Sequence, residues 1–324
     1  MISDTQVKQA GKPLVVIVVP NRNGAAFLKR NMPSLAATDY PNWIAVMADN
    51  ASTDESLDLI RRDFGFCRLI AGDRDLGFAG NVNRGLRWGL DVRAKYIAVI
   101  SNDVKVPPGW LSCAVEVLEE NPLVGVLGFR EVSQENELFI PEQLTVEQTV
   151  YPSGWAFVLR SQTVRKVGLY DETLYMYGEE QDYYPRVLRA GFVLAKTNVA
   201  VLHERHGLRK VSGKGLWFRY RNAIYCALKN FGIATGIIVA AKIFCYAALP
   251  EKLLQQMRTS QLSKLARQAT LSEGSETAVD TSIALRSGRW MLRLGIFVAA
   301  VAWNILHLPS TLMRRNFPLG LPDK

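Results

Sequence analysis

Asp103 is the first residue on which chemistry can be argued. It closes the polar triplet Ser101-Asn102-Asp103, directly after the run Tyr96-Ile97-Ala98-Val99-Ile100, which predicts a strand buried on both faces. A carboxylate at the carboxyl end of a central strand sits where α/β sheets receive their ligands. It could hold a hard divalent cation against a phosphate, or it could simply cap a turn. Two more strand ends carry similar clusters. Residues 14–19 lead into Pro20-Asn21-Arg22-Asn23-Gly24, and residues 43–48 into Asp49-Asn50-Ala51-Ser52-Thr53-Asp54. Asp49 is placed to accept hydrogen bonds from a nucleobase or ribose, and Asn21, Asn23 and Asn50 offer similar contacts. Singly, each is an ordinary turn or cap residue. Gathered on one sheet edge, they favour a ligand.

Three more features carry chemical weight. Trp155 follows Gly154 and precedes the strand predicted at 156–159; its ring could stack on the apolar face of a sugar or fill the core. The stretch Tyr175-Met176-Tyr177-Gly178-Glu179-Glu180-Gln181-Asp182 packs three acids into four positions ahead of a helical pattern at 183–190. Acids there favour the positive end of a helix dipole. His203 follows an apolar strand predicted at 193–202, and taken alone such a histidine is structural.

These groups need elements to position them. Strands at 14–19, 43–48, 68–70 and 96–100 alternate with helices at 25–37, 55–62, 86–92 and Trp110–Glu120. Ser, Thr and Asp open the second of these helices. Alternation at this spacing predicts a mainly parallel central sheet with right-handed crossovers and flanking helices, an α/β nucleotide-binding architecture. The dinucleotide fingerprint is absent, because PNRNG and not G-x-G-x-x-G follows the first strand. Nor does PNRNG supply the basic, Gly-rich triphosphate loop that a sugar nucleotidylyltransferase needs.

The segments PNRNG, ADNASTDES, DLGFAGNVNRG and ISNDV, in this order and spacing, resemble the nucleotide-sugar half of a family 2 glycosyltransferase with the GT-A fold. PSGWAFVLR, VGLYDETLYMYGEEQDYYPRVLRAG and VLHERHG resemble its acceptor half. The resemblance covers about residues 14–230 and is nearest to bacterial rhamnosyltransferase-like members that build surface polysaccharide. It implies inverting transfer of a sugar, rhamnose or another hexose, from a nucleoside diphosphate-sugar to a hydroxyl of a saccharide or lipid-linked glycan. It assigns the nucleotide to Pro20, Asn21, Asp49 and Asn50, and adds Asn23, Asn83, Asn102 and Asp103 to the donor site. The metal motif D-x-D maps to Ser101-Asn102-Asp103, which keeps only the last acid. Mn2+ or Mg2+ would therefore rest on Asp103 and His203, with His206 as the alternative. Inverting transfer needs a carboxylate to take the acceptor proton. That role maps to Glu180, with Asp182 as the competing assignment; Trp155, Tyr177 and Glu179 fall on the acceptor side. The rival reading is a family member without activity that binds sugar or scaffolds an assembly complex.

Bulk properties set the remaining expectations. The 324 residues give room for a catalytic domain at 1–230, with donor half about 14–106 and acceptor half about 107–230, and a C-terminal region at 231–324. Residues 1–202 carry 21 Lys/Arg against 24 Asp/Glu, whereas residues 203–324 carry 18 against 6. Only the back half is suited to an anionic surface. Its run of Arg205, Arg209, Lys210, Lys214, Arg219 and Arg221 generically suits nucleic acid, but the stretch resembles the family's post-catalytic segment, which implies pyrophosphate or anionic lipid as the counter-charge and no nucleic acid. The apolar stretches 231–249 and 294–308 are short for membrane spans. Thr235, Lys242 and Tyr246 form a polar stripe on the first, and Arg289, Arg293, Asn304 and His307 on the second, so helices lying in a membrane interface are expected. A helical hairpin or contact between copies is the competing expectation. Residues 255–289 are polar, with a flexible stretch expected at 269–282. Four scattered cysteines fit reduced thiols, and residues 14–19 are too short for a signal-peptide core. The expected location is the cytoplasm, peripheral to the inner face of a bacterial inner membrane.

Overall fold

The computed structural model describes residues 11–204, 212–248 and 290–314. The expectations placed on residues 255–289, on His206, and on Arg205, Arg209 and Lys210 lie outside them. Four parallel strands open the chain: β1 (Val15–Asn21), β2 (Trp43–Asp49), β3 (Cys67–Ala71) and β4 (Tyr96–Ile100). They lie side by side in the order β3-β2-β1-β4, with Asn21 opposite Asp49 and Val18 opposite Val99. Every residue of β1 and β4 is buried, as their continuous β-branched runs predict. The crossovers are α1 (Ala25–Ala36), α2 (Ser56–Asp63) and α3 (Gly77–Asp91).

α3 begins well before the expected residue 86 because its glycines hide the helical pattern. A Cβ on Gly85 would overlap the Val18 side chain, and one on Gly89 would come within 2.8 Å of Ile97 Cδ1. Close packing on the sheet outweighs the low helix propensity of glycine here.

The chain continues through β5 (Val104–Lys105), α4 (Trp110–Glu120), β6 (Val124–Val132), β7 (Val146–Gln148), β8 (Ala156–Arg160), α5 (Ser161–Val167), α6 (Glu179–Arg189) and β9 (Val193–His203). β8 joins β4 antiparallel, β6 joins β8 antiparallel, and β9 joins β6 parallel. β5 and β7 both run antiparallel to β9. The sheet is thus parallel in its first four strands and mixed beyond them. The buried guanidinium of Arg160 ties this half together, donating to Leu118 O at 2.5 Å and Val124 O at 3.2 Å.

The described residues form two compact units, one of residues 11–172 and 187–204, the other of 173–186, 212–248 and 290–314. The first holds the sheet and a core that includes Val15, Ile17, Tyr96, Trp110 and Phe129. In the second, α7 (Gly213–Phe231), α8 (Ile233–Ala248), α9 (Trp290–Leu306) and the short α10 (Leu308–Met313) pack around Leu216, Tyr220, Ile224, Leu228, Ile243 and Ala300. Ser212 caps α7 by accepting from Gly215 N at 3.1 Å. No helix among the described residues is long and apolar enough to cross a membrane. The polar stripe expected on the last apolar stretch divides: Arg293 and Asn304 are buried, the Asn304 amide donating to Arg221 O at 3.0 Å, whereas His307 is exposed and Arg289 lies outside the described residues.

Candidate functional site

The ends of β1, β2 and β4 are bound to one another by side-chain amides. Asn21 donates through Nδ2 to Asp49 Oδ2 at 2.9 Å and accepts through Oδ1 from Asn102 Nδ2 at 2.8 Å. Asn31 on α1 donates to Asn102 O at 2.9 Å. A side chain at Gly24 would overlap the amides of Asn21 and Asn102, so the last residue of PNRNG keeps this crossing open. Asp49 is fully buried; Ser52 N and Oγ donate to its two oxygens at 2.9 and 2.6 Å. Pro20 is buried within β1. Asn23, at φ +48°, accepts from Thr53 N at 2.7 Å. Asn50 donates to Asp75 Oδ1 at 2.7 Å and accepts from Leu76 N at 2.8 Å, while Arg22 pairs with Asp75. The polar residues expected at the sheet edge are therefore together, and they bond each other across three loops. Asn83 stands apart on α3, where it bonds the backbone N and O of Tyr170, both at 2.9 Å.

Asp103 and His203 are brought together because β5 pairs with the end of β9, setting Val104 opposite His203. His203 Nε2 lies 3.5 Å from Asp103 Oδ2. Its Nδ1 lies 3.3 Å from Glu131 Oε1 on β6. Trp155 stacks on the imidazole at 4.8 Å between centroids and 15° between planes. That ring face is occupied by a histidine, which neither the sugar-stacking nor the core expectation for Trp155 contained. Burial opposes charge on His203, but hydrogen bonds to Asp103 and Glu131 more than offset it, and its pKa rises to about 9.

Among the described residues no three His, Cys, Asp or Glu side chains converge as a closed metal cage. Glu131 and Asp103 sit on opposite nitrogens of one imidazole and cannot share an ion. The donor set nonetheless fits a cation of the Mn2+ or Mg2+ class, which uses one or two protein groups and completes its shell with water and phosphate oxygens. Asp103 and Nε2 would bind it, and Glu131 would hold Nδ1 from behind.

The acid cluster is positioned by α7. Tyr175 and Tyr177 adopt φ +63° and +66°, a conformation that bulky residues rarely take, and Gly178 follows at +93°. The segment is held by Asn222 Nδ2, which reaches the carbonyls of Leu174 and Met176 at 2.9 Å and of Tyr177 at 2.5 Å. Arg221 donates to Thr173 O at 2.6 Å. The helix expected from residue 183 starts at Glu179, which puts all three acids in its first turn. Arg219 lies over the half-exposed Tyr177 ring at 4.3 Å.

The three acids have different surroundings. Asp182 is fully buried: Oδ1 accepts from Lys229 Nζ at 2.8 Å and Asn230 Nδ2 at 3.0 Å. Its Oδ2 accepts from Arg186 Nε and Nη2 at 3.0 and 2.8 Å. Four donors fill a carboxylate's capacity, so Asp182 has no lone pair left over for an acceptor proton. Glu179 is 3% exposed and its Oε1 has no hydrogen-bond partner among the described residues. Burial, then the nearby Glu180, pushes its carboxyl up to about 8. Glu180 is half-buried.

Glu131, Lys229, Asn230 and Asn222 were not among the residues expected from sequence. A single lysine inside the apolar helix stretch Ala223-Ile224-Tyr225-Cys226-Ala227-Leu228-Lys229 was the one available signal, since a buried lysine needs a carboxylate.

The sequence model of glycosyl transferase family 2 matches residues 16–177. Uncharacterised glycosyltransferases of Rickettsia prowazekii (strain Madrid E) and Rickettsia typhi (strain ATCC VR-144 / Wilmington) are each 22% identical, over 214 and 216 residues and 60% of this chain. The matches span 64% of the length of these relatives. Among solved structures, a mannosyltransferase from Pyrobaculum calidifontis in complex with GDP-Man and Mn2+ is similar with a TM-score of 0.52 and 16% identity, over 91% of this chain and 88% of that one. S. aureus TarS 1–349 in complex with UDP-GlcNAc has a TM-score of 0.52 and 14% identity, over 93% and 89%. At these identities the likeness carries the fold, which is GT-A-like.

Proposed function

Since the chain belongs to glycosyl transferase family 2, we propose that it transfers a sugar from a nucleoside diphosphate-sugar to a hydroxyl of a saccharide or lipid-linked glycan, with inversion. The observation that carries the donor half of this reading is the pairing of Asp103 with His203 at 3.5 Å, in the same unit as the amide-tied strand ends. When bound at Asp103 and His203, Mn2+ or Mg2+ would offset the charge of the diphosphate leaving group. The mannosyltransferase complex holding GDP-Man and Mn2+ supports that choice of cation. The polar edge built from Asn21, Asp49, Asn50 and Asn102 is assigned to the nucleotide. Glu180 takes the proton from the acceptor hydroxyl as the new bond forms. Asp182 fixes the helix that carries Glu180, and the motif resemblance assigns Trp155, Tyr177 and Glu179 to the acceptor side.

The finer assignments rest on the motif resemblance. Rhamnose or another hexose is the sugar, and surface polysaccharide on the inner face of a bacterial membrane is the setting. Residues 14–106 serve the donor, about 107–230 the acceptor, and 231–324 the membrane surface.

The test is turnover. The purified chain with Mn2+ is titrated against a panel of nucleotide sugars by calorimetry, and nucleoside diphosphate release is followed with saccharide acceptors. Glu180→Gln keeps size and polarity but cannot accept the proton, so turnover should fall by about 10²–10⁴-fold with donor affinity nearly constant. Full turnover in Glu180→Gln rejects it as the base. Donor binding without turnover on any acceptor points to the inactive, sugar-binding alternative.

A further inference from the structure

α9 is turned inside out relative to a helix in water. Its charged and amide-bearing residues, Arg293 and Asn304, are 4% and 2% exposed. Its outward positions are Met291, Leu292, Val298, Ile305 and Leu306, between 47% and 78% exposed. A helix free to choose between core and water would rotate the other way. α8 shows the same outward character through Ile233, Ile237, Ile238 and Phe244. The two helices lie side by side, with the Phe244 and Phe297 rings 5.7 Å apart. The exposed residues therefore belong to neighbouring helices rather than being scattered singly, and clustered exposed apolar side chains of this kind mark a contact surface.

We propose that the outward faces of α8 and α9 insert together into the boundary between headgroups and acyl chains of an anionic lipid leaflet. The proposal deepens the membrane setting of the function proposed above and rests on that setting, but not on the chemistry of transfer. Three observations choose lipid over a protein partner. First, neither helix contains an acidic residue, and the charge that their outward faces expose is the cation of Lys242, which attracts anionic headgroups. Second, the outward face offers almost no directional groups, whereas a protein interface carries a polar rim and hydrogen bonds. Lys242 is the one exposed charge on the pair of helices, and its long stem can lift the ammonium to the headgroups. Third, Trp290 opens α9 at 52% exposure, the amphipathic ring favoured at a membrane–water boundary. With 16 and 17 residues, α8 and α9 are each about 25 Å long at 1.5 Å per residue, short of a hydrocarbon core of about 30 Å. Over the described residues that length suits helices lying in the interface.

The full chain is sedimented with vesicles of phosphatidylcholine alone and of phosphatidylcholine with phosphatidylglycerol. Cys245, exposed on α8, reports on the same face: its labelling by a water-soluble maleimide is located by mass spectrometry with and without vesicles. Binding to the anionic vesicles, slower labelling of Cys245 on them, and loss of affinity by about tenfold or more in Val298→Glu/Ile305→Glu are expected. Leu123→Glu, at an exposed apolar position in the other unit, should bind as the parent does. Equal binding to neutral vesicles overturns the anionic part. Undiminished binding by a folded double variant overturns insertion, as does a parent that stays off vesicles and forms a dimer that the double variant splits. Should the double variant fail to fold, unchanged labelling of Cys245 on vesicles still overturns it. Donor titration of the parent is run in parallel, so failure of the glycosyl-transfer reading registers there and not in the vesicle arms.

Discussion

Glu180 and Asp182 stand two residues apart on the first turn of α6 and meet opposite conditions. Asp182 neutralises the fully buried Lys229 and the buried Arg186. Asp182→Asn would leave two cations facing a neutral amide, and removing one partner of a buried ion network costs roughly 3–5 kcal/mol. Denaturant unfolding should show that loss, whereas Glu180→Gln should unfold like the parent. Glu179 adds a pH signature. Its folded pKa of about 8 stands well above the ordinary carboxyl value of 4.5. The folded state thus holds a proton that the unfolded chain has released. The stabilising contribution is complete below the ordinary value and is lost as pH rises toward 8. Thermal unfolding across that window should fall for the parent and flatten for Glu179→Gln. Around His203, Glu131 fixes the nitrogen that faces away from the proposed cation. Glu131→Gln should lower Mn2+ affinity in the presence of nucleoside diphosphate by about 10–100-fold, read by calorimetry.

At the scale of elements, close packing explains what the sequence hid. Gly85→Ala in α3 would press on Val18 in the middle of β1. Overpacking of that kind costs about 1–3 kcal/mol, measurable as a lower midpoint in denaturant. The same glycines delayed the expected start of α3, because a helix rich in glycine loses its apolar period. β1, β2 and β4 were legible as uninterrupted β-branched runs, and the polar clusters at their ends followed directly. β6 was not read at all: Gly125 and Gly128 break its run, and glycine in a strand reads as a bulge or a turn. With β6 went Glu131, since its place behind His203 depends on the parallel pairing that sets it opposite Val201. The acids of α6 were legible as a cluster. Which of them is buried against Lys229 depends on contacts 47 residues away in the chain, and no local spacing encodes those.

For the whole molecule, the uneven charge was legible as a count, whereas the direction of the C-terminal stripes was not. Periodicity places Arg293 and Asn304 on one face of α9; only packing against α7 decides that this face points inward. That choice has a mechanical consequence. A helix apolar on every side can spin about its axis with little change in energy when both neighbours are apolar. The Asn304 amide, bonded to Arg221 O on α7, removes that freedom by setting one angle of rotation. Arg221 in turn holds the carbonyls of Thr173 and Leu174 ahead of the acid cluster. The azimuth of α9 and the seat of the strained tyrosine segment are thereby keyed to a single residue on α7.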